Sequence, residues 1–368
     1  MRITRVETIP VAVPLRRPMN IASGAVAAGN HVIIRLHTDQ GLTGIGEASP
    51  VASTDADTQR TIVSVIADRL APRLVGRDPH RLAELIGQVD RAIPGNQCAK
   101  AGIDIALHDL VGKSLGVPVF QLLGGRCRDR LDTLEADLWI DSPQAMAAAA
   151  GEAAARGVRA FEIKIGTDPA GDLQRVRAVR EAVGPDARLR VDCNEGYDRG
   201  TAVAPLRAME ACRLDYIEQP LPRWDLRGMA SLAAALDTPI CADQSAYTRH
   251  DVFNLLAMQA ADLICIKIAK SGLLHASQIH AACVVAGVRC TLGSMLPLGV
   301  GAAAIHHFAV GAPGVDVELS GVYGGATDYF TDDLVVQTAP DAAGITLSDA
   351  PGLGITLDER KLRHYAVA

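Results

Sequence analysis

The chain has little excess charge and no run of apolar residues near the roughly 20 that a membrane span requires. Its 36 lysines and arginines stand against 42 aspartates and glutamates, a net charge of −6, and the basic residues are scattered rather than blocked. That balance argues against a general nucleic-acid surface and against an anionic membrane surface. The opening residues MRITRVETIPVAVPL alternate like a strand and lack the apolar core and small-residue cleavage site of a signal peptide. A cytoplasmic protein is expected. The 8 cysteines form no C-x-x-C pair, and nothing suggests a secreted disulfide framework. No short fixed-period repeat or low-complexity segment interrupts the chain.

What is present is an alternation of strand-length apolar runs with helix-forming stretches rich in Ala, Leu, Arg and Glu. The runs FEIKIG (161–166), RLRVDCN (188–194), LDYIEQP (214–220), PICADQS (239–245) and LICIKIAK (263–270) read as consecutive βα units carrying a parallel sheet. Further strands are expected at Leu131–Ile140, Arg289–Gly293 and Asp316–Leu319, eight in all. Between the strand expected at Leu131–Ile140 and FEIKIG, Ser142 is placed to cap a helix whose first position is Pro143. Strands precede helices over residues 2–92, which suggests a separate α+β unit, and Gly116 with Pro118 is expected to end a helix that begins near Ala99.

Each run carries a charge near its C-terminal end: Lys164, Asp192, Glu218, Asp243 and Lys267. In a barrel of βα units catalytic groups collect at that rim. Three carboxylates converging from neighbouring strands make a hard oxygen site suited to Mg²⁺ or Mn²⁺. With a lysine on either side, the set suits removal of a proton next to a carboxylate: a cation neutralises the carboxylate while a lysine takes or returns the proton. Charges at strand ends also meet solvent at no cost, but that reading does not supply the flanking lysines.

These motifs resemble the enolase superfamily, in its mandelate racemase and muconate lactonizing enzyme branch. Lys164 matches the second lysine of a K-x-K motif, Asp192 in VDCN, Glu218 in IEQP and Asp243 in ADQS match the metal ligands, and Lys267 in IKIAKSG matches the sixth-strand lysine. The steps of 26, 25 and 24 residues from Asp192 to Lys267 resemble those of muconate cycloisomerases. The resemblance implies a (β/α)7β modified TIM barrel over residues 129–325, beneath an α+β capping domain formed by residues 1–128 and completed by residues 326–368. It also implies a Mg²⁺ cofactor, a small-molecule carboxylate substrate and a homo-oligomer.

Two departures from the family pattern matter. Glu162 stands where the first K-x-K lysine is usual, and Gln244 where an ADES motif has glutamate. Glu162 and Lys164 lie two apart on a strand and therefore share a face. The carboxylate is expected to hold Lys164 as an ammonium, leaving Lys267 as the base. Asn194 is placed beside Asp192 as a further modulating residue. By analogy, loops at 16–24 and 48–55 contact substrate, which nominates Arg16, Ser23 and Ser53. Met295 in GSMLPLGVG and Glu318 in VELSG are nominated from the seventh and eighth strand ends. Pro297 replaces an expected acidic residue, and the D-x-D pattern associated with dipeptide epimerases is not seen. Cycloisomerisation is therefore ranked first, amino-acid or dipeptide racemisation or epimerisation second, and dehydration of a sugar acid or hydroxy acid third. A non-catalytic metal- or carboxylate-binding relative is the alternative from outside enzymology. His108, Asp109, His306 and His307 are assigned structural roles.

Overall fold

A computed structural model describes residues 1–51, 57–131, 135–316, 329–336 and 344–367. Strands β1 (Ile3–Ile21), β2 (Gly24–Thr38) and β3 (Thr43–Ala48) form an antiparallel sheet in sequential order. Helices α1 (Gln59–Val65), α2 (Ala71–Leu74), α3 (Leu82–Ala92), α4 (Gln97–Leu115) and α5 (Val119–Leu122) follow, with one π turn at Ile66–Leu70 between α1 and α2. The expected switch from strands to helices over this region is thus observed.

The second layer is a parallel sheet with helices between its strands: β4 (Glu135–Leu138), α6 (Pro143–Ala155), β5 (Ala160–Lys164), α7 (Pro169–Val183), β6 (Arg188–Asp192), α8 (Val203–Met209) and β7 (Ile217–Glu218). It continues through α9 (Leu226–Ala235), β8 (Ile240–Ala242), α10 (Arg249–Met258), β9 (Leu263–Ile266), α11 (Ile268–Ala286), β10 (Arg289–Leu292) and α12 (Gly299–Gly311). The seven strands pair in strict sequential order, the arrangement of a TIM-type barrel wall. Asp316 makes a parallel bridge to Thr291, where an eighth strand would begin. The remainder of that expected strand, 317–319, lies outside the described residues. No helix of the described residues is long and apolar enough to cross a membrane.

Local sequence explains the joins. The Ser142 hydroxyl accepts the Ala145 N–H at 3.2 Å with Pro143 behind it, and α4 stops at Gly116, whose φ of 71° suits glycine. Glycines let α4 lie directly on the antiparallel sheet: a Cβ at Gly46 would meet the Gly102 carbonyl oxygen at 2.1 Å. Asp109 of α4 accepts N–H groups from Ile45 and Leu353, both at 2.8 Å, and Lys113 Nζ at 2.6 Å, tying helix, sheet and C-terminal segment together. His108 pairs with Asp104 at 2.9 Å, and His306 and His307 are buried in α12, so all four residues are structural as expected.

Glu47 of β3 joins the two layers. Its carboxylate accepts the Leu298 N–H at 2.7 Å, the Gly301 N–H at 2.8 Å and the Ser49 hydroxyl at 2.8 Å, with His31 Nδ1 at 3.0 Å. A negative charge at the first turn of α12 suits the helix dipole. The C-terminal segment returns to the antiparallel sheet: β11 (Val335–Val336) pairs with β12 (Thr356–Leu357), and α13 (Glu359–Tyr365) leads to an antiparallel bridge between Val11 and Ala366.

Candidate active site

Five adjacent strands deliver the five residues singled out in the sequence. Lys164 ends β5, Asp192 ends β6 and Glu218 ends β7, while Asp243 and Lys267 directly follow β8 and β9. The parallel register sets Lys164 opposite Asp192 and Asp192 opposite Glu218, so one rung of the sheet presents amine, acid, acid. All but Asp192 line one cavity, which the antiparallel layer covers with Met19, Ile21, Val26 and Val51.

The two lysines bracket the acids. Lys164 Nζ donates to Asp192 Oδ2 at 2.8 Å and to Glu162, and Lys267 Nζ donates to Asp243 Oδ2 at 2.6 Å. Burial disfavours the ammonium form of Lys164, but Asp192, Glu162 and Asp137 outweigh it and hold its pKa well above the ordinary lysine value. The expectation about Glu162 is correct in direction. Lys267, expected as the base, is held in the same direction: burial opposes its charge, and Asp243, Cys265 and Glu218 outweigh burial and raise its pKa. Asp243 reaches Lys267 across the sheet, as Glu162 reaches Lys164 along its strand.

Glu162 lies between two cations. Besides Lys164 it accepts Arg190 Nε at 2.9 Å. Burial alone would raise its pKa, yet Lys164 and Arg190 bring it down to about 2. It is therefore an ionised clamp on the lysine.

The acids differ in how they are satisfied. Asp192 accepts the Asn194 backbone N–H at 2.9 Å and the Asn194 side-chain amide at 2.7 Å, which gives Asn194 its modulating place. Asp243 is held at Oδ1 by Lys270 Nζ at 2.7 Å as well as by Lys267; burial is outweighed and its pKa is lowered. Glu218 accepts no hydrogen bond from any side chain or backbone N–H among the described residues, and is 4% exposed. Burial, followed by the charges of Asp192, Glu162 and Asp243, pushes its pKa well above the ordinary value. An unpaired buried carboxyl between two other acids is the situation a hard divalent cation relieves. Asp192, Glu218 and Asp243 offer the oxygen donors that Mg²⁺ or Mn²⁺ takes, but among the described residues the ligand atoms within 4.8 Å of one another are those of Glu218, Asp243 and Cys265, with Asp192 outside that group. Cys265 comes within 4.8 Å of ligand atoms of Glu218 and Asp243, but burial and those same carboxylates raise its thiol pKa well above normal, and sulfur is the wrong donor for such an ion.

Other expected residues divide. Gln244 and Met295 line the cavity, and Gln244 Oε1 is buried without a hydrogen-bond partner. Arg16 and Ser23 do not line it: both are exposed. Strand alternation is the reason, since Val11, Val13 and Leu15 of β1 turn inward and Arg16 outward. Ser53 and Glu318 lie outside the described residues.

Sequence reasoning missed Asp137, Trp139, Arg190, Tyr216, Tyr247 and Lys270, which also line the cavity. Lys270 carried a signal, since it lies one turn beyond Lys267. Its inward position depends on Gly272, whose φ of 66° breaks α11, while Asp104 accepts the N–H groups of Leu273 and Leu274 where the helix resumes. Gln219, also missed, sits behind the acids. Its amide donates to the Leu221 carbonyl at 2.7 Å and to Ser245 Oγ at 2.8 Å, and its Oε1 accepts from Asp243 N at 3.0 Å and Ser245 N at 2.9 Å.

Comparison with known proteins agrees with this geometry. Residues 3–124 match the family model described as mandelate racemase / muconate lactonizing enzyme, N-terminal domain, and residues 145–361 match enolase C-terminal domain-like. The chain is 34% identical over 362 residues to an L-Ala-D/L-Glu epimerase of Bacillus subtilis, covering 96% of this chain and 97% of that one. It is 32% identical over 374 residues, the whole of both chains, to a chloromuconate cycloisomerase of Cupriavidus necator. The crystal structure of an N-succinyl Arg/Lys racemase from Bacillus cereus superposes with a TM-score of 0.95 at 30% identity, covering 100% of this chain and 99% of that one. The chain belongs to the mandelate racemase and muconate lactonizing enzyme family, and is an isomerase or lyase of the enolase superfamily.

Proposed function

We propose that this enzyme moves a proton at the carbon next to a substrate carboxylate, and that it does so as a racemase or epimerase using Lys164 and Lys267 as a pair. The observation that carries the reading is the order of groups along the rim: amine, three acids, amine, each amine within 2.8 Å of the nearest acid. A carboxylate held over the acids has an amine on either flank; a divalent cation on those acids would offset the charges that keep both amines protonated, so that the lysine left neutral removes the α-proton and the other, as an ammonium, supplies one on the opposite face. Asp192, Glu218 and Asp243 would hold Mg²⁺, whose charge stabilises a carboxylate as its α-carbon loses a proton. Glu162 and Asp243 orient the amines, and Met19, Ile21 and Val26 exclude water from above.

Cycloisomerisation is the second reading, supported by the full-length similarity to chloromuconate cycloisomerases. It ranks first on strand-end motifs; the symmetric bracketing by two amines favours racemisation instead.

The test is Mg²⁺-dependent incorporation of solvent deuterium at the α-carbon across a library of carboxylates, with polarimetry and ultraviolet absorbance followed in parallel. Exchange with loss of optical rotation supports the first reading, and a change in absorbance the second. Single Lys164→Ala and Lys267→Ala variants should each abolish exchange from one enantiomer and retain it from the other. Unimpaired racemisation in either variant would sink the paired-lysine reading.

A further inference from the structure

The flank of the cavity formed by β4 and β5 holds a carboxyl that the proton transfer does not use. Asp137 sits in β4 opposite Glu162, and Tyr329 Oη donates to its Oδ2 at 3.0 Å. Its Oδ1 is buried with no hydrogen-bond partner, and the residue lines the cavity. Trp139 meets Tyr329 edge to face at 6.3 Å, which fixes the phenol that holds Asp137. A buried acceptor left unpaired is costly, and here it is aimed at the space a substrate fills.

The cations on this flank are engaged elsewhere: Lys164 and Arg190 both donate to Glu162. Segments 52–56, 132–134, 317–328 and 337–343 contain no lysine or arginine to add one. Those two cations already serve both Glu162 and Asp137, so a second substrate carboxylate seated here would add a third anion to them and would face the Asp137 carboxyl. A donor would find an acceptor. Asn194 gives the same sign independently: its amide nitrogen is spent on Asp192, leaving its Oδ1 buried and unpartnered in the same cavity.

We propose that Asp137 Oδ1 receives an N–H group of the substrate, so that the enzyme acts on α-amino-acid derivatives bearing a protonated amine or an amide rather than on dicarboxylates of carbon and oxygen alone. This inference rests on the α-proton reading above and names its substrate class.

The experiment is calorimetric binding of alanyl-alanine, N-acetylalanine and muconate to the Mg²⁺-loaded protein and to its Asp137→Leu and Asp137→Asn variants. The wild type should bind the two N–H-bearing acids more tightly than muconate. Asp137→Leu should weaken one or both of them about 10- to 100-fold, as expected for a hydrogen bond to a charged group, and leave muconate unchanged. Asp137→Asn keeps the Tyr329 contact and the acceptor oxygen while removing the charge. It should weaken alanyl-alanine alone if the partner is an ammonium, and neither acid if it is an amide N–H. A wild type that prefers muconate, or an Asp137→Leu variant that binds all three as the wild type does, would overturn the proposal; the wild-type preference is readable even if that variant does not fold. Lack of deuterium exchange with every acid would instead refute the proton-transfer reading, and the binding contrast would still be read.

Discussion

Lys270 Nζ grips Asp243 twice, donating at 2.7 Å to its Oδ1 and at 2.7 Å to its backbone carbonyl. Asp243 is thereby fixed in both side chain and main chain, with Lys267 on its other oxygen. Replacing Lys270 by methionine leaves the stem and removes the charge. Breaking such a buried pair should cost about 3 kcal/mol in urea unfolding. Lys267→Met should cost less, because its side chain is 14% exposed against 4% for Lys270, and Lys270 alone also holds the Asp243 backbone carbonyl.

Gln219 satisfies four polar groups with one fully buried side chain. Gln219→Ala strands the Asp243 and Ser245 N–H groups and should lower stability by about 2–4 kcal/mol, measured by chemical denaturation. Gln219→Glu retains the acceptor and loses the donor to Leu221. It should be destabilising too, because a third buried carboxylate then faces Glu218 and Asp243.

Much of this site was legible because its signals are local. A charge closing each strand-length run, and the two-residue step from Glu162 to Lys164, can be read without coordinates. Lys270 showed only its one-turn spacing from Lys267, and Gln219 gave no sign, since their directions depend on Gly272 breaking a helix and on a positive φ at Gln219. Asp137 was hidden for another reason: it meets Tyr329 across 192 residues of chain. The outward direction of Arg16 was legible in its own strand, from the inward alternation of Val11, Val13 and Leu15.

Glu47→Gln tests the join between the layers. The amide nitrogen cannot accept the Leu298 or Gly301 N–H, so one of these donors loses its partner. A loss of about 2–3 kcal/mol is expected, with faster amide hydrogen exchange at 298–301 and in β3 while the remaining barrel strands stay protected.

Stability should also fall with acid because of α12. His307 Nδ1 accepts the Phe120 N–H at 3.1 Å and cannot carry a proton there. Burial, with the nearby Arg126 charge, brings its pKa down to about 4. The unfolded chain takes up that proton near pH 6.5, so the folded state is fully favoured above pH 6.5 and loses up to about 3 kcal/mol as pH falls to 4. Thermal unfolding followed between pH 7 and pH 4 checks this; His307→Gln should flatten the decline.

The bridge between Val11 and Ala366, together with the Val367 N–H donated to the Pro10 carbonyl at 2.9 Å, carries a burden for biosynthesis. The outer margin of β1 leaves the ribosome before these partners and gains them only after more than 300 further residues have been translated. Until then it offers unpaired peptide groups to any neighbouring chain, a known route to intermolecular strand pairing. Shortening the tail would thus be felt first as insoluble product in the cell, before any defect in turnover.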